Sequence, residues 1–135
     1  ASPAVEAGLT AYGMHLGTAF QLIDDVLDYS ADEAETGKHL GDDLAEGKPT
    51  LPLIYTLEHG SPEQAACVRH AIEEGGRDDF AKVLAAIRAT GALDHTRKQA
   101  GVESQAAIRA LDALPASQYK DSLIELALFA VARSY

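Results

Sequence analysis

Asp24, Asp25 and Asp28, with Gln21 one turn before them, are the residues of this chain whose type and spacing suit them best to chemistry. With 3.6 residues per helical turn and Asp24 at zero, Asp28 falls at about 40°, Gln21 at about 60° and Asp25 at about 100°. All four share one face, and Leu22, Ile23, Val26, Leu27 and Tyr29 occupy the rest of the wheel. Clusters made only of carboxylates select hard cations. Magnesium keeps several waters while taking one or two carboxylates and a phosphate group. The pattern therefore predicts a magnesium-diphosphate site.

A merely solvated helix face would interleave lysines with its acids, because like charges one turn apart repel. Yet no lysine or arginine occurs between Ala1 and Gly37, while Asp24, Asp25, Asp28, Asp32, Glu33 and Glu35 crowd together. They lie toward the helix C-terminus, where the macrodipole disfavours negative charge. A bound cation relieves both penalties. The first basic residues beyond them, Lys38 and Lys48, each follow a glycine and can offer an ammonium to phosphate oxygens.

Competing motifs fail on spacing. In the stretch from Gly41 to Thr50, five residues separate Gly41 from Gly47 where a phosphate loop has four, and Pro49 stands where that loop has Ser or Thr. An EF-hand starting at Asp28 would put Glu33 at its glycine position and His39 at its bidentate glutamate. His15, His39, His59, His70 and His95 show no zinc spacing, and no serine nucleophile motif is present.

The element carrying the aspartates is predicted to be a long helix from about Val5 to Asp32, with apolar residues at 16, 19, 20, 23, 26 and 27. Gly13 and Gly17 lie inside it at a spacing that suggests a close helix crossing. A glycine-rich loop is predicted from Glu33 to Lys48, then a short helix from about Pro49 to Glu58. Ser61, Pro62 and Gln64 supply an N-cap, a first-turn proline and a capping box for a helix ending at Gly75-Gly76. Further helices are predicted over Asp78 to Thr90, ended by Gly91, over Ala92 to Leu114, and over Ser117 to Arg133. The last is expected to pack through Leu123, Ile124, Leu126, Ala127 and Ala130. No strand pattern appears, so the fold class is all-α.

The 135 residues suit one modest domain, and 47% hydrophobic with 24% charged residues describes a folding globular chain. A formal charge of -10 argues against nucleic acid or an anionic membrane surface as partners. The single Cys67, among Ala65, Ala66 and Val68, is expected to be a buried thiol, consistent with a reducing cytoplasm. Neither a leader nor an apolar span of about twenty residues is present, so no transmembrane segment is expected. The opening Ala1-Ser2-Pro3 is not that of an initiator, which suggests a fragment or processed product.

The run Tyr12-Gly13, Leu16-Gly17, Ala19-Phe20-Gln21-Leu22-Ile23-Asp24-Asp25 and Asp28-Tyr29 resembles the second aspartate-rich motif of trans-polyprenyl diphosphate synthases. Its sequel, Gly37-Lys38, Gly41-Asp42-Asp43-Leu44 and Glu46-Gly47-Lys48-Pro49-Thr50-Leu51-Pro52-Leu53, is similar to the stretch that follows that motif in the family. The nearest pattern is the bacterial octaprenyl-forming branch, which supplies quinone side chains.

The resemblance implies the isoprenoid synthase helical bundle, with two aspartate-rich motifs facing each other across a cavity. Residues 1–135 would be the C-terminal part of a single such domain. By position, Asp24, Asp25 and Asp28 would be Mg2+ ligands. Gln21, Lys38 and Lys48 would contact the allylic diphosphate, with Asp24, Asp25 and Lys38 assisting its ionisation, and Phe20 would line the cavity wall. The substrates would be an allylic diphosphate and isopentenyl diphosphate, and the assembly a homodimer. Nothing in the chain matches the family's first aspartate-rich motif or its isopentenyl diphosphate pocket, so the isolated chain is expected to be inactive. The rival readings are a noncatalytic subunit or interaction module of a heteromeric synthase and another isoprenoid enzyme such as a terpene cyclase.

Overall fold

The computed structural model describes residues 2–30, 44, 46–74 and 79–132, and the regular elements among them are all helices, with no strand. Helix α1 spans Pro3–Ser30. It begins where the Val5 N–H donates to Ser2 Oγ at 3.2 Å, with proline at the first helical position, where its missing N–H costs nothing. Helices α2 (Leu51–His59), α3 (Pro62–Glu74), α4 (Phe80–Thr90) and α5 (Ala92–Ala110) follow, then a 3-10 turn (Leu111–Ala113) and α6 (Gln118–Ala132). Residues 31 and 32, most of the expected glycine-rich loop, Gly75, Gly76 and Asp78 lie outside the described residues.

The chain divides into two compact units. The described part of Asp24–Thr96 forms one. Its core gathers Tyr29, Leu53, Val68, Val83 and Ile87, all fully buried, with Cys67 partly buried at the edge. Burying each large side chain contributes about 1.5–3 kcal/mol. Helices α2, α3 and α4 pack mutually. The turn into α3 is fixed by a reciprocal capping box, in which Ser61 N–H donates to Gln64 Oε1 (2.8 Å) and Gln64 N–H to Ser61 Oγ (3.1 Å). Gly91 ends α4 in the left-handed conformation (φ 74°). Across the α2–α4 contact, Thr56 Oγ1 donates to the Pro52 carbonyl (2.8 Å) and lies 3.3 Å from Thr90 Oγ1. Tyr55 stacks on both His59 and His95, with ring centroids 4.1 and 4.4 Å away.

The other unit comprises residues 2–23 and 97–132. Tyr12, Ala107, Leu111 and Ala127 form its buried centre. Tyr12 OH donates to the Leu123 carbonyl at 2.7 Å, Ser104 Oγ to the Ala127 carbonyl at 2.7 Å, and His15 Nδ1 lies 2.6 Å from Glu103 Oε2. Ala127 and Ala130 are buried as the apolar stripe of α6 predicts, whereas Leu126 is 40% exposed. The stripe assigned from sequence was too wide: on a helix apolar nearly all round, periodicity does not single out the buried face.

The close helix crossing is not where the glycine spacing placed it. A Cβ at Gly13 or Gly17 would meet nothing within 4 Å, whereas one at Gly8 would lie 2.5 Å from the Ala110 carbonyl oxygen. Gly8→Ala must push α1 away from α5, and overpacking of this kind costs about 1–3 kcal/mol. A thermal melt of that variant should show a clear loss, with Gly13→Ala unchanged or slightly raised; equal melting of the two would contradict this account of the crossing.

Burial raises the Tyr12 phenol above its ordinary value near 10. A raised native pKa means the associated stability is fully present below pH 10 and is lost as pH climbs through the native value. Urea titrations should show the wild type losing stability above about pH 10 and Tyr12→Phe losing less of it; an unchanged alkaline limb would exclude Tyr12 as its source.

Candidate metal and diphosphate site

Residues 23–29 of α1 are buried almost all round: Ile23, Val26 and Tyr29 are 0% exposed and Leu27 3%. Within that stretch Asp25 is 5% exposed and Asp28 0%, while Asp24 is half-buried. The acidic residues are thus not a solvated face. Carboxylates are removed from water where a cation, a metal or hydrogen-bond donors compensate them, and all three aspartates are engaged by other groups of the chain. The end of the helix is held in place by Tyr29, whose ring stacks on Phe80 at the start of α4 (centroids 6.0 Å apart, planes 12° apart).

Lys48 lies in the turn leading into α2. The Gly47 N–H donates to the Leu44 carbonyl at 2.9 Å, and Gly47 takes φ 72°, a conformation glycine adopts without a Cβ penalty. The Lys48 ammonium is 2.9 Å from Glu46 Oε2, with both side chains more than half exposed (56% and 61%). An ion pair this exposed contributes about 0–1 kcal/mol.

Asp24, Asp25, Asp28 and Lys48 all belong to the Asp24–Thr96 unit. Gln21 is exposed and Phe20 half-buried, one turn earlier on α1. Lys38 lies outside the described residues. Among the described residues no three His, Cys, Asp or Glu side chains gather into a metal-sized cluster. The α1 carboxylates are oxygen donors of the kind magnesium takes. Their donor set, all hard oxygen, fits that ion. A groove of about 610 Å³ lined by Lys98, Val102, Gln105, Arg109 and Val131 shares no residue with this site.

Sequence reasoning assigned no part to Thr50. Its Oγ1 is buried and has no hydrogen-bond partner among the described residues. The available sequence signals were its place in the stretch similar to the family and the proline at the second position of the helix it caps.

The comparisons with known proteins agree with one another. A family model described as Polyprenyl synthetase matches residues 1–89. Octaprenyl diphosphate synthase of Escherichia coli is 53% identical over 133 residues, 98% of this chain and 41% of the relative, and that of Haemophilus influenzae 52% over 133 residues, 98% and 40%. The chain thus spans about two fifths of the length of these relatives. Among solved structures, a Caulobacter crescentus polyprenyl synthase complexed with calcium and isoprenyl diphosphate superposes with TM-score 0.91 at 39% identity, over 100% of this chain and 42% of that one. A Corynebacterium glutamicum geranylgeranyl pyrophosphate synthase complexed with isoprenyl diphosphate and magnesium gives TM-score 0.86 at 34% identity, over 98% and 38%.

Proposed function

The chain belongs to the polyprenyl synthetase family, and from that premise we propose that it is the C-terminal part of a prenyltransferase domain and supplies that enzyme's second magnesium-diphosphate motif. The observation that carries the reading is the burial of Asp25 and Asp28 within a helical stretch that is otherwise apolar. Buried ionisable groups in otherwise apolar surroundings mark a candidate functional site.

In this reading Asp24, Asp25 and Asp28 hold magnesium, which when bound supplies positive charge opposite the departing diphosphate. Lys48 and Lys38 place further ammonium charge on the phosphate oxygens as the allylic C–O bond breaks. Gln21 orients the diphosphate and Phe20 forms part of the cavity wall. The apolar surroundings exclude water, which would capture the allylic cation before isopentenyl diphosphate attacks it and loses a proton. The product is a polyprenyl diphosphate, octaprenyl by similarity to the Escherichia coli and Haemophilus influenzae relatives, and the enzyme acts in the cytoplasm as a homodimer. No helix among the described residues is long and apolar enough to cross a membrane.

A second reading, a subunit of a heteromeric synthase, is favoured by one relative: heptaprenyl diphosphate synthase component 2 of Geobacillus stearothermophilus, 33% identical over 125 residues. A single assay separates the two. The purified full-length protein with farnesyl diphosphate, isopentenyl diphosphate and magnesium should yield long-chain product whose length is read by chromatography. Product formed only after a second, different subunit is added would establish the heteromeric reading instead.

A further inference from the structure

Thr50 caps α2 with φ −74° and ψ 165°. A threonine in that position ordinarily turns its Oγ back to accept the N–H of the second or third helical residue. Here neither is available. The second residue is Pro52, which has no N–H, and the Leu53 N–H donates to the Thr50 carbonyl at 3.0 Å, so no side-chain cap bond forms. The hydroxyl is buried instead, with no hydrogen-bond partner among the described residues.

A buried polar atom in this condition costs about 1–3 kcal/mol. Such atoms are few in native proteins and call for a reason, and local rules are broken chiefly at functional sites. Thr50 also stands in the same tight turn as Lys48, since its N–H donates to the Lys48 carbonyl at 3.0 Å around Pro49. As a residue Thr50 is only half-buried. Rotation about χ1 from one staggered well to another therefore exchanges the hydroxyl with its neighbours on Cβ and can bring it outward.

We infer that the Thr50 hydroxyl is a substrate-binding group that donates a hydrogen bond to an oxygen of the diphosphate held by Lys48. The inference rests on the diphosphate reading above and adds a neutral donor to it. The ligand supplies the acceptor that the protein withholds, and a hydroxyl bonded to a charged phosphate oxygen makes a short, strong bond.

The test uses Thr50→Val and Thr50→Ser in the full-length synthase. Valine replaces the hydroxyl with a methyl of similar size, so Thr50→Val without ligand should melt at or above the wild-type temperature. Its KM for the allylic diphosphate should rise about tenfold or more, as expected for a lost bond to a charged group. Its thermal shift with magnesium and inorganic pyrophosphate should shrink, and Thr50→Ser should restore both. A Thr50→Val enzyme with wild-type KM and pyrophosphate shift overturns the inference. So does a variant that melts well below wild type and is rescued in melting by serine, since the hydroxyl is then structural. If the wild-type enzyme itself shows no shift with magnesium and pyrophosphate, the diphosphate reading fails first and the role of Thr50 with it.

Discussion

Asp24→Ala in the full-length protein is expected to lower turnover by about two to three orders of magnitude while the protein stays folded. A group that stabilises charge developing in the transition state contributes about 3–4 kcal/mol when its site excludes water, and each 1.36 kcal/mol is about tenfold in rate. Asp24 is the appropriate position because it is half-buried, whereas Asp25 and Asp28 sit in the packed part of α1, where a truncation also leaves a cavity. In the absence of metal the variant should melt close to wild type, because Asp24 is half-buried and its truncation leaves no cavity in the core. Steady-state kinetics with a melting curve on the same sample check both halves. Near-normal turnover with a collapsed melting temperature would make Asp24 a structural residue.

The second large effect concerns the chain taken alone. The 135-residue polypeptide, given farnesyl diphosphate, isopentenyl diphosphate and magnesium, is expected to form no long-chain product above background, under conditions where the full-length enzyme turns over steadily. Ionising an allylic diphosphate and aligning a second substrate for attack require both binding sites at once, and positioning of this kind accounts for a large part of such accelerations. The chain spans about two fifths of its relatives' length, and on the function proposed above it supplies only the second of two aspartate-rich motifs. Long-chain product from the isolated chain at rates near those of the full-length enzyme would refute the proposal that the site is shared with the rest of the polypeptide.

Much of the helical layout was readable from the sequence because its signals are local. Ser61 and Gln64 specify a capping box through side chains three residues apart, and Gly91 marks a helix end because few other residues take φ 74° cheaply. What was not readable depends on partners distant in sequence. Gly8 approaches Ala110, a contact no motif announces, while a Cβ at the more conspicuous Gly13 or Gly17 would meet nothing within 4 Å. Leu126 looks like its apolar neighbours and faces outward.

The site divides in the same way. Spacing put Asp24, Asp25 and Asp28 on one face, but only the packing of α1 determines that Asp25 and Asp28 are buried while Asp24 is not. The wheel treats a helix as one polar and one apolar side, and residues 23–29 have no such division. The Thr50 hydroxyl escaped notice because threonine before a helix normally signals a satisfied cap. Its cap fails because Pro52 lacks an N–H and Leu53 bonds the carbonyl instead.

The central claim is that the α1 aspartates bind magnesium together with diphosphate. It is tested most directly by titrating magnesium into the full-length protein with inorganic pyrophosphate present, following the melting temperature, alongside a variant carrying Asp24→Asn, Asp25→Asn and Asp28→Asn. Binding to the native state alone raises the melting temperature with ligand concentration, by about 2.7 kcal/mol of stability at a hundredfold excess over Kd. The wild type should show that rise, only when both components are present, and the triple variant should not. An equal rise in the two proteins would place the magnesium-diphosphate site elsewhere and contradict the account.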